Sequence, residues 1–128
     1  MQNTFTILKP DTVKAGNAGA VMSQIENAGF RIRAVKMLHL TEAQARGFYY
    51  VHKERPFFGS LVTFMTESPV VLMVLEAENA IEKLRKLMGA TDPAKADAGT
   101  IRKQFGTNIE RNAIHGSDGP DTAAFEIS

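Results

Sequence analysis

The chain has 128 residues, a formal net charge of +1 and no cysteine. This length fits one domain spanning residues 1–128. The absence of cysteine excludes disulfides and thiolate metal sites. A charge so close to zero gives no support for a dedicated nucleic-acid-binding protein. Neither a secretory signal pattern nor an apolar run of transmembrane length occurs, so we expect a cytoplasmic protein without a membrane partner.

Hydrophobic periodicity predicts strands and helices in regular alternation. The predicted strands cover residues 4–8, 30–40, 70–75 and 113–115, and the predicted helical segments cover 18–28, 41–52, 56–65, 78–88 and 100–105. On the second strand, alternation predicts one buried face made of Phe30, Ile32, Ala34 and Leu38. The order implies an α+β fold of the ferredoxin-like βαββαβ plan, a four-stranded antiparallel sheet with helices packed on one face.

The segment 112–118 near the C-terminus is the first candidate for chemistry. Ala113 and Ile114 are expected to form a short buried strand that ends on His115, followed at once by Gly116. An imidazole is the side chain most easily neutral and nucleophilic near pH 7. Since most histidines are surface or satisfied core residues, this segment alone leaves the role of His115 open.

Other segments carry groups suited to an anionic, flat ligand. Two aromatic residues follow Pro56 directly and cannot share one helix face, so Phe57 and Phe58 form either a core corner or a half-exposed stacking platform. Residues 89–112 have little apolar periodicity, which is typical of functional loops. A neutral imidazole near several cations suits phosphoryl transfer through a phosphohistidine, because cations neutralise charge on the phosphate oxygens.

Four segments closely resemble the signature segments of nucleoside diphosphate kinases. They are Lys9-Pro10-Asp11, Arg55-Pro56-Phe57-Phe58, Gly99-Thr100-Ile101-Arg102 and Asn112-Ala113-Ile114-His115-Gly116-Ser117-Asp118. The resemblance covers essentially the whole chain, and the last motif is strongly specific. It implies a single kinase domain that transfers the γ-phosphate of a nucleoside triphosphate, typically ATP, to a diphosphate such as GDP by a ping-pong mechanism.

The resemblance also implies a role for each matching residue. The catalytic group would be His115 as nucleophile, Glu126 holding its far ring nitrogen, Ser117 assisting, and Tyr49 near the transferred phosphate. Gly116 is expected to leave room for the phosphoryl group beside the imidazole. The nucleotide would be bound at its base, ribose and phosphates by Phe57, Lys9, Asn112, Arg85, Thr91 and Arg102.

Cofactor and assembly expectations follow from the same resemblance. Mg²⁺ would arrive with the nucleotide and be held by phosphates and water rather than by protein ligands. Family members form homo-oligomers, so we expect one here. The alternative is a ferredoxin-like nucleotide-binding regulator without turnover, which would not need His115, Glu126 and the phosphate-binding cations all to be present.

Overall fold

The computed structural model describes residues 1–49, 53–109 and 111–117. The strands in this part of the chain are β1 (Gln2–Leu8), β2 (Arg31–Leu38), β3 (Val70–Ala77) and β4 (Ile114–Gly116). The helices are α1 (Pro10–Lys14), α2 (Ala18–Asn27), α3 (Glu42–Phe48), α4 (Phe58–Thr66), α5 (Ala80–Met88) and α6 (Ile101–Phe105), with a short 3₁₀ turn at Pro93–Lys95. No helix among these is long and apolar enough to cross a membrane.

The strands form one four-stranded sheet in the order β2-β3-β1-β4. All neighbouring pairs are antiparallel, and β1 pairs with β3 from Gln2↔Ala77 to Leu8↔Val71. This is the predicted ferredoxin-like arrangement. The short β4 pairs only with the end of β1, which sets His115 opposite Ile7.

Helices cover both faces of the sheet, whereas we expected them on one face. The first face packs Leu8, Met73 and Leu75 against apolar residues of α2 and α5. The second face packs Phe5 and Ile7 against α3 and α4. The physical reason is that α4 carries an apolar stripe of its own, with Leu61, Val62, Phe64 and Met65 buried, and this stripe needs a surface to cover.

A bulge in β2 overturns part of the predicted alternation. Ile32 pairs with Leu75 but Ala34 pairs with Val74, so Arg33 is an extra residue in the ladder. A one-residue shift turns the following side chains to the opposite faces. Ala34, predicted to be buried, is therefore exposed. Val35 and Met37 share the face of Ile32 but remain 50% and 60% exposed on this edge strand.

A capping box begins α3, and its sequence, Thr41-Glu42-Ala43-Gln44, is the pattern that predicts one. The Thr41 Oγ1 accepts from the Gln44 backbone N–H at 3.1 Å, and the Gln44 Oε1 accepts from the Thr41 backbone N–H at 2.9 Å. Both bonds satisfy donors that the first helical turn leaves without partners. The helix ends at Phe48, and so delivers Phe48 and Tyr49 to the sheet end where His115 lies.

Candidate functional site

Lys9 lies directly after β1 and is only 7% exposed. Its Nζ donates to the Asn112 Oδ1 at 2.8 Å. The Asn112 amide in turn donates to the Thr91 backbone carbonyl at 3.0 Å. Three residues predicted to bind the nucleotide, from three distant segments, are thus joined in one chain of hydrogen bonds.

His115 lies in the middle of β4, not at the end of the strand as expected. Its carbonyl accepts from the Thr6 hydroxyl at 2.6 Å, and its ring is half-buried. The ring meets Phe48 edge-on, with centroids 5.3 Å apart and planes at 80°. Tyr49 is also edge-on, with centroids 6.4 Å apart. The tyrosine predicted to lie near the transferred phosphate is therefore a neighbour of the imidazole.

Arg102 lies in α6 and connects the end of α5 to β4. It is 7% exposed, and its two terminal nitrogens donate to the Gly89 carbonyl at 3.1 Å and the Ile114 carbonyl at 2.9 Å. The Ile114 carbonyl belongs to the residue just before His115. These two bonds fix the orientation of the guanidinium next to the backbone of β4.

Two predicted nucleotide-binding residues lie on the exposed surface. Phe57 precedes α4 and is 46% exposed, while Phe58 is half-buried in the second core. The sequence left open a core corner or a half-exposed ring, and the structure has the half-exposed ring, that of Phe57. Arg85 lies exposed in the last turn of α5, which ends at the glycine that Arg102 contacts.

Ser117 is fully buried, and its backbone N–H and its hydroxyl both donate to the Phe5 carbonyl, at 3.2 Å and 3.4 Å. This contact anchors the chain where it leaves β4. Glu126, the predicted partner of the far imidazole nitrogen, lies outside the described residues.

The expectation for Gly116 is wrong. A Cβ on this residue would meet the Met88 Sδ at 2.7 Å and the Leu84 Cδ2 at 3.2 Å. Successive residues of a strand point to opposite faces, so Gly116 faces α5 while His115 faces the other way. The glycine permits close packing of α5 on β4 and makes no room at the imidazole.

Sequence reasoning missed the contacts that hold the segment before His115. We expected Ala113 to belong to the strand, but it lies just before the strand and has a positive φ of 76°. Its backbone N–H donates to the Asp11 carboxylate at 3.0 Å and its carbonyl accepts from the Thr12 hydroxyl at 2.9 Å. Burial raises the pKa of the Asp11 carboxyl, although the Ala113 N–H and the Lys9 charge act in the opposite direction. The only signal in the sequence was the presence of Asp11 in a signature segment.

Metal ligands are not grouped in the described part of the chain. No cluster of three or more His, Cys, Asp or Glu side chains there could hold a metal ion. The side chains that bind the chain just before His115 include the cations Lys9 and Arg102, and cations suit an anionic ligand better than a metal ion.

Comparison with known proteins gives one consistent family. The family model described as nucleoside diphosphate kinase matches residues 2–128. A nucleoside diphosphate kinase of Geotalea uraniireducens is 60% identical over 127 residues, covering 99% of this chain and 93% of the relative. A nucleoside diphosphate kinase of Trichlorobacter lovleyi is also 60% identical, covering 99% and 92%.

Solved structures agree with the sequence relatives. A crystal form of the Aquifex aeolicus nucleoside diphosphate kinase superposes with a TM-score of 0.96 at 46% identity, covering 98% of this chain and 92% of that one. A halophilic nucleoside diphosphate kinase from Halobacterium salinarum, solved in complex with CDP, gives a TM-score of 0.95 at 39% identity, covering 98% and 84%. With its ferredoxin-like sheet and full-length similarity to these enzymes, the chain belongs to the nucleoside diphosphate kinase family.

Proposed function

We propose that this enzyme transfers phosphate through a covalent phosphohistidine on His115. Nucleoside diphosphate kinase activity itself follows from the family, in which the named relatives are kinases. The assignment to His115 rests above all on its surroundings. This half-buried imidazole follows Ile114, whose carbonyl accepts from Arg102. Three residues before the imidazole, the Asn112 side chain is bound by the buried Lys9.

The transfer has two half-reactions. A ring nitrogen of His115 donates its lone pair to the γ-phosphorus of a nucleoside triphosphate, and the bond to the bridging oxygen breaks in line, releasing the nucleoside diphosphate. A terminal oxygen of a second nucleoside diphosphate then attacks the phosphohistidine and restores the free imidazole. We assign Glu126 to the far ring nitrogen, and Tyr49 and Ser117 to assisting roles, as the family resemblance implies.

Cations supply the electrostatic part of the mechanism. Arg102 and Arg85 are assigned to the phosphates together with Thr91, because charge-assisted hydrogen bonds from guanidinium groups to phosphate are short and strong. Lys9 and Asn112 are assigned to the ribose hydroxyls. The hydrogen bond between these two side chains supports that assignment, since it holds both groups in place before a nucleotide arrives.

Nucleotide kinases generally use a divalent metal, and we propose Mg²⁺ here. With no cluster of three candidate metal ligands in the described part of the chain, the ion would be held by nucleotide phosphates and water. Bound in this way, the ion would neutralise part of the phosphate charge. We also propose a broad choice of base, because stacking on the exposed Phe57 ring does not depend on base identity.

The experiment that tests the role of His115 is formation of GTP from ATP and GDP by purified variants. His115→Ala should lower the rate of GTP formation by at least about 10⁴-fold, as expected when a covalent nucleophile is removed. His39→Ala is the matched control, because His39 is an exposed histidine outside the proposed site. Wild-type activity in His115→Ala, or equal loss in both variants, would contradict the assignment. A regulator without turnover, the alternative function, predicts no GTP from the wild-type protein.

We also infer a homo-oligomer. Edge strand β2 exposes Val35 and Met37, and an edge strand with apolar side chains tends to pair with another chain. Sedimentation should therefore give a mass that is a multiple of 14.0 kDa, and Met37→Lys should shift the distribution toward the monomer. A monomeric wild-type protein at micromolar concentration would refute this inference. A cytoplasmic location stays a prediction.

A further inference from the structure

Ala113 has a strained backbone two residues before His115. Its φ is 76°, in a region that costs an L-residue about 1–2 kcal/mol. The Ile114 N–H donates to the Asn112 carbonyl at 2.9 Å, which closes a three-residue γ-turn centred on Ala113. Turns of this kind with positive φ are rare and strained. Such strain persists only where the surrounding structure imposes it.

The constraint comes from the segment that follows β1. The Ala113 N–H donates to the Asp11 Oδ2 at 3.0 Å. The Ala113 carbonyl accepts from the Lys9 backbone N–H and from the Thr12 hydroxyl, both at 2.9 Å. These bonds hold the peptide planes on either side of Ala113. The orientations of these two planes determine φ and ψ of Ala113. At about 0.5–1.5 kcal/mol each, such bonds are strong enough together to offset the strain.

The Asp11 carboxylate lies in the first turn of α1 and also reaches across to the Ala113 N–H. The N-cap of α1 is Lys9, with no side-chain cap bond. Thr12 is 1% exposed. Burial raises the pKa of Asp11, so the carboxyl is kept in an environment that disfavours its charged form. The side chains of Asp11 and Thr12 both bind the backbone of Ala113, so we expect their effect at the segment that leads to His115.

The position of His115 depends on this turn because β4 is so short. The strand has three residues and begins immediately after Ala113. On its other side, the imidazole is confined by the edge-on rings of Phe48 and Tyr49. A rotation of the Ala113 peptides would tilt His115 against these rings and away from a direction suitable for in-line attack.

We propose that Asp11, assisted by Thr12, is a positioning residue that holds the strained Ala113 turn and thereby aims the His115 imidazole at the phosphoryl group. This inference rests on the proposed function of His115. It assigns no contact between Asp11 and the nucleotide.

The experiment measures single-turnover transfer of label from γ-labelled ATP to the full chain, at several ATP concentrations. Asp11→Ala should lower the rate at saturating ATP by about 10- to 100-fold, since misplacement of a reacting group by about 1 Å costs on that order. The half-saturating ATP concentration should change less than the rate. Asp11→Asn keeps an acceptor oxygen in the same place and should stay within about threefold of wild type. Thr12→Val should have a smaller effect than Asp11→Ala, because the Lys9 N–H still binds the Ala113 carbonyl.

A second substitution separates aiming from general stability. Glycine adopts positive φ without strain, so Ala113→Gly should restore part of the rate lost in Asp11→Ala. Circular dichroism at the assay temperature gives the folded fraction, and all rates are expressed per folded molecule. Asp97→Ala, an exposed aspartate, is the matched control and should behave as wild type.

Two results would overturn the inference. One is a wild-type rate per folded molecule in Asp11→Ala. The other is a lower rate in Asp11→Ala that is equally low in Asp11→Asn and is not raised by adding Ala113→Gly. If His115→Ala accepted label as well as the wild type, the proposed function would fail first, and the two failures are therefore distinguishable.

Discussion

The His115 imidazole is confined by neighbours of two kinds. Phe48 and Tyr49 meet its ring edge-on, and aromatic pairs in this geometry contribute about 0.5–1.5 kcal/mol beyond area burial. Its backbone is held by Thr6, while Arg102 holds the residue before it. Because few torsions are left to the side chain, little conformational entropy has to be lost when a phosphoryl group approaches.

Phe57 should determine nucleotide affinity without affecting the fold. Its ring is 46% exposed, so Phe57→Ala should leave the melting temperature nearly unchanged. Loss of a stacking ring costs about 1–3 kcal/mol, which is about 5- to 150-fold in the dissociation constant for ADP, GDP and CDP alike. Phe57→Tyr keeps a stacking face and serves as control. Titration calorimetry that gave equal affinities for Phe57→Ala and wild type would remove Phe57 from the site.

Asp11 should give the protein an unusual pH dependence. Burial raises the pKa of its carboxyl above the ordinary value of 3.8, so the folded protein binds this proton more tightly than the unfolded chain. Its contribution to the free energy of unfolding is therefore fully present below 3.8 and is lost as the pH rises through the raised pKa. The variant Asp11→Asn has no titrating group at this position, so its free energy of unfolding does not fall for this reason as the pH rises.

Urea unfolding across that pH window checks the sign. The free energy of unfolding of Asp11→Asn should rise relative to wild type as the pH increases, by about 1.4 kcal/mol for each unit of pKa difference. A difference between Asp11→Asn and wild type that stays constant over the window would show that the Asp11 carboxyl has an unshifted pKa.

Among the elements, α3 links a local sequence signal to the site. Its capping box at Thr41 and Gln44 is formed by residues three apart, and the helix ends at the ring that touches His115. Thr41→Ala should lower the free energy of unfolding by about 1 kcal/mol, the usual cost of a lost N-cap. Thr63→Ala, an exposed threonine inside α4, is the matched control and should change it by less than about 0.5 kcal/mol. Equal losses in urea titrations of the two variants would mean that the capping box contributes nothing.

β4 depends on contacts from outside the sheet more than the longer strands do. It has three residues and, within the described part of the chain, pairs with β1 alone, whereas β1 and β3 pair over seven positions. Arg102, Thr6 and the Ala113 turn supply additional bonds at its start and middle. An element this short cannot hold a nucleophile by ladder hydrogen bonds only, and the side-chain contacts account for its fixed position.

For the whole molecule, the sequence predicted the order of the four strands and of the helices α2 to α6. Periodicity predicted the alternation of strands and helices because each element buries one face, and that regularity is local. Capping at Thr41 is equally local, since its partner is Gln44. The family resemblance then supplied roles for residues that periodicity alone could not distinguish from ordinary surface positions.

What the sequence did not predict depends on contacts between distant segments. The bulge at Arg33 reverses the faces of β2, and its position is set by pairing with β3 rather than by local alternation. The strained Ala113 is stabilised by Asp11 and Thr12, which lie about one hundred residues earlier in the chain. Gly116 was misinterpreted for the same reason, because Met88 on α5 determines why no side chain fits there.

The central claim is that phosphate passes covalently through His115, and a labelling chase tests it directly. The protein is mixed with γ-labelled ATP, freed of nucleotide, divided, and then either digested for peptide mapping or mixed with unlabelled CDP. We predict acid-labile label on the peptide containing His115, quantitatively transferred to CTP on the addition of CDP. Label on another residue, or label on His115 that CDP does not remove, would contradict the account.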